Sequence, residues 1–111
     1  GACRAELPLI QKAYERYQGD PAVRFVLVSV DDDPTRLERY MAERKFAMPV
    51  LRMTREQAAA LLDVQDTPWT FYVDASGVIR YEVRGLEPHG DAVARISWYI
   101  DRLKAEMPPR R

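Results

Sequence analysis

The stretch "WTFYVDASGVIRYEVR", residues 69–84, constrains the fold more than any other part of the chain. Trp69 to Asp74 is rich in aromatic and β-branched residues, which favour a strand. "DASG" is turn chemistry: an aspartate that can bond nearby amides, then Gly77, which takes positive φ without strain. Val78 to Arg84 alternates, with Ile79, Tyr81 and Val83 facing one way and Arg80, Glu82 and Arg84 the other. A period of two with one polar row predicts a strand with one wet face, paired as an antiparallel hairpin with the strand before it.

The remaining segments read mostly as helices. From Arg4 to about Gln18, Leu7, Ile10, Tyr14 and Tyr17 recur at three- and four-residue spacing and give one apolar stripe. Pro8 lacks the N–H that would bond the carbonyl of Arg4, so this helix is expected to kink or loosen there. "VRFVLVSV" (Val23 to Val30) has no clean alternation and reads as a strand buried on both faces. Asp33 followed by Pro34 marks a helix start, with a capping carboxylate and then proline at the first helical position. Leu37, Tyr40 and Met41 supply that helix's inner face. "MPVLRM" is a short extended segment, and Thr54 with Gln57 forms a capping box for a helix to about Asp63. Asp91 caps a last helix whose stripe is Val93, Ile96, Ile100 and Leu103. The order is helix, strand, helix, strand, helix, hairpin, helix, an α/β layer pattern with helices on both faces of one sheet.

Composition narrows the function. The 111 residues suit one domain. Seventeen basic residues balance seventeen acidic ones, so no charge excess points to nucleic acid or an anionic membrane surface. The apolar run "FVLVSV" is far short of a membrane span. One cysteine excludes an internal disulfide framework, and one cysteine with one histidine argues against a protein-only zinc site.

Two motifs at the right separation carry a resemblance. "CRAELP", at the start of the first helix, resembles the second half of the redox motif in thioredoxin-fold proteins of the TlpA/ResA type. That motif reads Trp-Cys-x-x-Cys, a basic residue, x, Glu, Leu, Pro. "DTPWTFYVDASGVIRY" resembles their second signature: a Thr–Pro step with a cis proline, a strand, an Asp-x-x-Gly turn and an antiparallel strand. "VRFVLVSVDDDP" and "MPVL" fall where that family has them, so the likeness runs from about Cys3 to Leu103. It implies a thioredoxin-like α/β fold over residues 1–107, with a mixed sheet, helices on both faces and a C-terminal hairpin, then a tail at 108–111. The family runs an apolar central strand into Trp-Cys just before the positions of Gly1 and Ala2. The resemblance therefore implies a domain cut short at its N-terminus, in which "RFVLVSV" and "WTFYVD" flank an empty slot. A strand exchanged from a partner, or a foreign "GA" replacing native residues, are the alternatives.

By that alignment Cys3 is the second, resolving cysteine of a Cys-x-x-Cys pair whose nucleophile precedes Gly1. Thiol–disulfide exchange needs an exposed thiolate and a second thiol to resolve the mixed disulfide. A helix N-terminus favours the thiolate, and Arg4 adds positive charge nearby. The competing reading of Cys3 is a small buried hydrophobe. If Thr67–Pro68 is cis, the turn offers the Thr67 backbone to an extended substrate, which pairs with it like an added strand. An ordinary trans proline is the alternative. Trp69 packs under the site, lines the substrate groove or belongs to the core. In "DDD", Asp32 is the closest match to a carboxylate that moves protons in some relatives, and a solvated turn acid is the plain reading. His89 reads as a surface histidine, and Arg110 and Arg111 as a short basic tail with no evident role; Tyr14, Tyr17, Tyr40, Trp98 and Tyr99 read as packing.

The resemblance implies a thiol–disulfide oxidoreductase acting on protein cysteines, a reductant rather than an oxidant. Its electrons come from a partner dithiol, and no bound cofactor or metal is needed. A redox-inactive peptide-binding module on the same fold is the second reading. A single-cysteine peroxidase is the third, disfavoured because "GAC" offers no Thr-x-x-Cys with its proline. The family is mostly extracytoplasmic or periplasmic in bacteria, often tethered by an N-terminal segment; a cytoplasmic location is the alternative.

Overall fold

A computed structural model describes residues 2–30, 32–64, 67–85 and 91–106. Asp31, His89, Arg110 and Arg111 lie outside the described residues. The described chain forms two compact units. One combines residues 1–23 with 66–111, and the other is the intervening 24–65.

The first unit contains helix α1 (Ala2–Tyr17), strands β3 (Trp69–Val73) and β4 (Ile79–Arg84) and helix α4 (Ala92–Ala105). α1 runs through Pro8 without a break in the helix. Its buried side chains are Leu7, Gln11, Ala13 and Tyr17, so the inner stripe includes a glutamine where apolar spacing pointed to Ile10 and Tyr14. α4 starts on Asp91, whose carboxylate accepts the Ala94 N–H at 3.1 Å, satisfying one of the free amides of the first turn. A polar seam joins α1 to α4: the Tyr17 hydroxyl donates to Asp101 Oδ1 at 2.7 Å, Arg16 donates to Ser97 Oγ at 3.3 Å, and Lys104 pairs with Asp20.

The hairpin pairs Trp69 with Arg84, Thr70 with Val83, Phe71 with Glu82 and Tyr72 with Tyr81. Its turn is built as the sequence predicts. Asp74 Oδ1 accepts the N–H groups of Ser76 at 2.9 Å and Val78 at 3.0 Å, and Gly77 sits at φ +84°. The Val78 amide, with those of Ser76 and the Arg80 guanidinium behind it, holds the Asp74 carboxyl below its ordinary value. One expectation needs correcting. The register slips between Tyr72 and Val73, so Ile79 opposes Val73 instead of continuing the row of Tyr81 and Val83. An irregularity of this kind breaks alternation and leaves a residue out of the ladder. Arg80, at the slip, bonds Glu106 at 2.9 Å. Behind the regular part of the hairpin, Tyr72 stacks on Tyr99 at 4.4 Å and Tyr81 lies 5.1 Å from the same ring. Trp98 is 55% exposed, so its expected packing role is only partial.

The second unit contains strands β1 (Leu27–Ser29) and β2 (Val50–Arg52) with helices α2 (Pro34–Arg44) and α3 (Arg55–Leu62). Asp33 caps α2 by accepting the Thr35 N–H at 3.0 Å. The capping box of α3 is complete: the Gln57 N–H donates to Thr54 Oγ1 at 3.0 Å, and the Thr54 N–H donates to Gln57 Oε1 at 2.9 Å. β1 and β2 are parallel, with Leu27 opposite Val50 and Val28 opposite Leu51. β1 is shorter than the expected strand, and it is not buried on both faces. Val28 is 46% exposed and its cross-strand neighbour Leu51 is 60% exposed. Within this unit, strand pairing stops at three residues. Among the described residues β1 and β2 form a parallel ladder, and β3 and β4 an antiparallel one.

Candidate thiol site

α1 brings its N-terminal turn to the hairpin through one polar contact. The Thr70 hydroxyl donates to Glu6 Oε1 at 3.5 Å, linking the helix to the strand that begins just after Pro68. Cys3 lies, by its backbone, in the first turn of α1. Glu6 is its i+3 neighbour, and residues at that spacing share a helix face. Burial pushes the Glu6 carboxyl above its ordinary value, and the bond from Thr70 pulls the other way. A carboxyl held half-buried with a raised proton affinity is suited to taking and returning a proton nearer neutrality than a solvated one.

The Thr67–Pro68 peptide bond is cis. The Pro68 carbonyl accepts the Gly85 N–H at 2.7 Å, continuing the hairpin ladder one step past Trp69. Gly85 has φ +74°, in the left-handed region that glycine adopts without a Cβ clash. Thr67 is exposed and Pro68 half-buried. Trp69 is half-buried; its Nε1–H donates to Glu82 Oε1 at 3.2 Å, and the Arg84 guanidinium carbon stands 4.3 Å from the ring centroid.

Cys3, Thr67, Pro68 and Trp69 therefore belong to one unit, together with Glu6 and Thr70. Asp32 belongs to the other, where it is exposed in the bend ahead of α2. Glu6 is the residue that sequence reasoning passed over. "CRAELP" contains it, yet an acid in the second turn of a surface helix looks like ordinary solvated charge until the helix is packed on a strand. Among the described residues, no three His, Cys, Asp or Glu side chains come together as a metal site would require.

Comparison with known proteins supports the same frame. The structure of StoA from Bacillus subtilis superposes with a TM-score of 0.74 at 18% sequence identity, covering 89% of this chain and 72% of that one. No curated protein matches the sequence. The fold is thioredoxin-like. Residues 1–82 match the AhpC/TSA family, so a thiol-oxidoreductase type of function is its general setting. On that match, which takes in both α1 and the Thr67–Pro68 turn, the chain belongs to the AhpC/TSA family.

Proposed function

We propose that this domain performs thiol–disulfide exchange on protein substrates, with Cys3 as the second, resolving cysteine of a Cys-x-x-Cys pair of the TlpA/ResA type. The observation that carries the reading is Cys3 in the first turn of α1, the helix whose next turn is tied through Glu6 to Thr70, two residues beyond the cis Pro68. The first thiol must come from outside these 111 residues, since Cys3 is the single cysteine. Its thiolate attacks a substrate disulfide; that S–S bond breaks, a mixed disulfide forms and one substrate thiolate leaves. Cys3, as thiolate, then attacks the mixed disulfide and releases the second substrate thiol. The protein pair is oxidised by two electrons, and a partner dithiol restores it. Glu6, one turn from Cys3, receives the proton that Cys3 must lose. Asp32 is the alternative proton carrier.

Thr67, Pro68 and Trp69 form the substrate side, with the Thr67 backbone offered to an extended peptide. β3 has β4 as its only strand partner among the described residues, and β1 has only β2. A further apolar strand entering ahead of Cys3 would pair the open edge of β3. The family resemblance also supports an extracytoplasmic setting with an N-terminal tether.

The test is reduction of insulin disulfides by the full-length protein supplied with a dithiol. Turnover is expected, and Cys3→Ser is expected to abolish it while leaving a trapped mixed disulfide with the substrate. No turnover with both cysteines present would reject the reading. A second reading, a peptide-binding module without turnover, is favoured by the single cysteine. It wins if full-length protein binds cysteine-free extended peptides and lacks a second thiol in its intact mass.

A further inference from the structure

One face of the β3–β4 hairpin carries a group that the exchange chemistry leaves unused. Thr70 and Tyr72 reach α1 and α4, bonding Glu6 and stacking on Tyr99. Strand alternation puts Trp69 and Phe71 on the opposite face, and the register sets Arg84 beside Trp69 and Glu82 beside Phe71. There the Trp69 indole is held by three contacts. Its N–H is taken by Glu82 at 3.2 Å, the Phe71 ring stacks at 6.0 Å and 21°, and the Arg84 guanidinium covers it at 4.3 Å. Arg84 is exposed and has no carboxylate partner among the described residues. A guanidinium seated on an indole keeps its planar fork of donors free and loses little rotamer freedom when it takes up a carboxylate.

The next step rests on the reading that Thr67 and Pro68 receive an extended peptide. Such a peptide alternates its side chains between two faces. If its cysteine faces the side of α1, which carries Cys3, the residues on either side of that cysteine face the side of Trp69 and Arg84. We propose that Arg84 is a specificity-determining residue, receiving the carboxylate of an Asp or Glu adjacent to the substrate's cysteine. Trp69 is its platform, and Glu82 is a positioning residue that acts through the indole N–H.

Short peptides test this, each with one cysteine activated as a mixed disulfide with thionitrobenzoate and flanked on both sides by Glu, Ala or Lys. In full-length protein carrying Cys3→Ser, the first thiolate attacks the peptide sulfur, the bond to thionitrobenzoate breaks, and thionitrobenzoate leaves as a coloured thiolate. With Cys3 replaced, no second thiol resolves the new disulfide, so it stays trapped and its rate is read directly. The Glu-flanked peptide is expected to react about fivefold faster than the Lys-flanked one, the size of a well-oriented but solvent-reached Arg–carboxylate pair. Arg84→Glu should reverse that order, and Arg84→Lys should keep part of the preference. Glu82→Gln should lower the preference, and in the 111-residue chain carrying Trp98→Phe, where Trp69 is the sole tryptophan, it should shift the emission. Equal rates for the three peptides, or an unchanged Glu preference in Arg84→Glu, would overturn the proposal while leaving thiol exchange intact. Failure of every peptide to release thionitrobenzoate from the full-length protein would reject both.

Discussion

The two ladders of this chain both carry apolar side chains and end up differently supported. In β3–β4 the inward side chains meet partners from outside the sheet: Tyr72 and Tyr81 on Tyr99, Thr70 on Glu6. In β1–β2, Val28 and Leu51 face each other across the strands and remain half-exposed or more. Equal hydrophobicity does not give equal burial. A strand's apolar residues stabilise only as far as another element covers them, and a two-stranded ladder by itself is marginal in water.

That contrast can be broken in order of expected effect. Tyr72→Ala should be the most damaging change, costing about 3 kcal/mol by leaving a cavity against Tyr99. Chemical denaturation with the slope checked for constancy measures it; a loss below about 1 kcal/mol would mean the hairpin face is not a true core. Gly77→Val comes next, because a β-branched residue at φ +84° strains the turn by about 1–2 kcal/mol. Leu51→Ser on the parallel sheet should fall within about 0.5 kcal/mol of wild type, as surface changes do. A larger loss there would show that Leu51 is covered by something beyond the described residues.

Acid sharpens the comparison further, and the two carboxylates named here move in opposite directions. Asp74 has its folded value depressed, so the stability it lends is present above the unfolded value of 3.8 and lost as pH falls through the folded one. Glu6 has its folded value raised above 4.5, so ionisation there opposes folding at neutral pH, and the penalty fades as pH falls through the folded value towards 4.5. Glu6→Gln is therefore expected to raise the melting temperature slightly at pH 7 and to have no such effect near pH 4. Asp74→Asn should cost stability at pH 7 and approach wild type in acid. Thermal scans across pH read both, and parallel curves for the two variants would refute the assignment. The smallest effect is on exchange: under the proposed function, Glu6→Gln should flatten the pH dependence of turnover while Asp32→Asn leaves it unchanged.

What the sequence made legible was local. The Asp74–Gly77 turn, the Thr54–Gln57 box and the Asp33 and Asp91 caps each depend on residues within four positions of one another, and all are present. The likeness in "CRAELP" and "DTPWTFYVD" carried the fold. What escaped depends on distant partners. Gln11 is buried on α1 while Ile10 is only half-buried, and helical spacing alone does not say which face packing will cover. At the slip Arg80 pairs with Asp74 and Glu106, contacts that a period-two pattern does not register. Glu6 turns from a surface acid into a site residue only once Thr70 is beside it.

The seam between α1 and α4 has a consequence for synthesis. Its contacts join Tyr17 to Asp101 and Asp20 to Lys104, residues 84 apart in the chain, with the whole second unit made in between. During vectorial translation the helix carrying Cys3 emerges before every other described element, and its neighbour α4 is the last of the described elements to be made. Contacts of such long sequence separation form late and slowly. Between the synthesis of α1 and that of α4 the nascent chain therefore holds its thiol helix without that support, and oxidation or capture by other thiols is most readily suffered then.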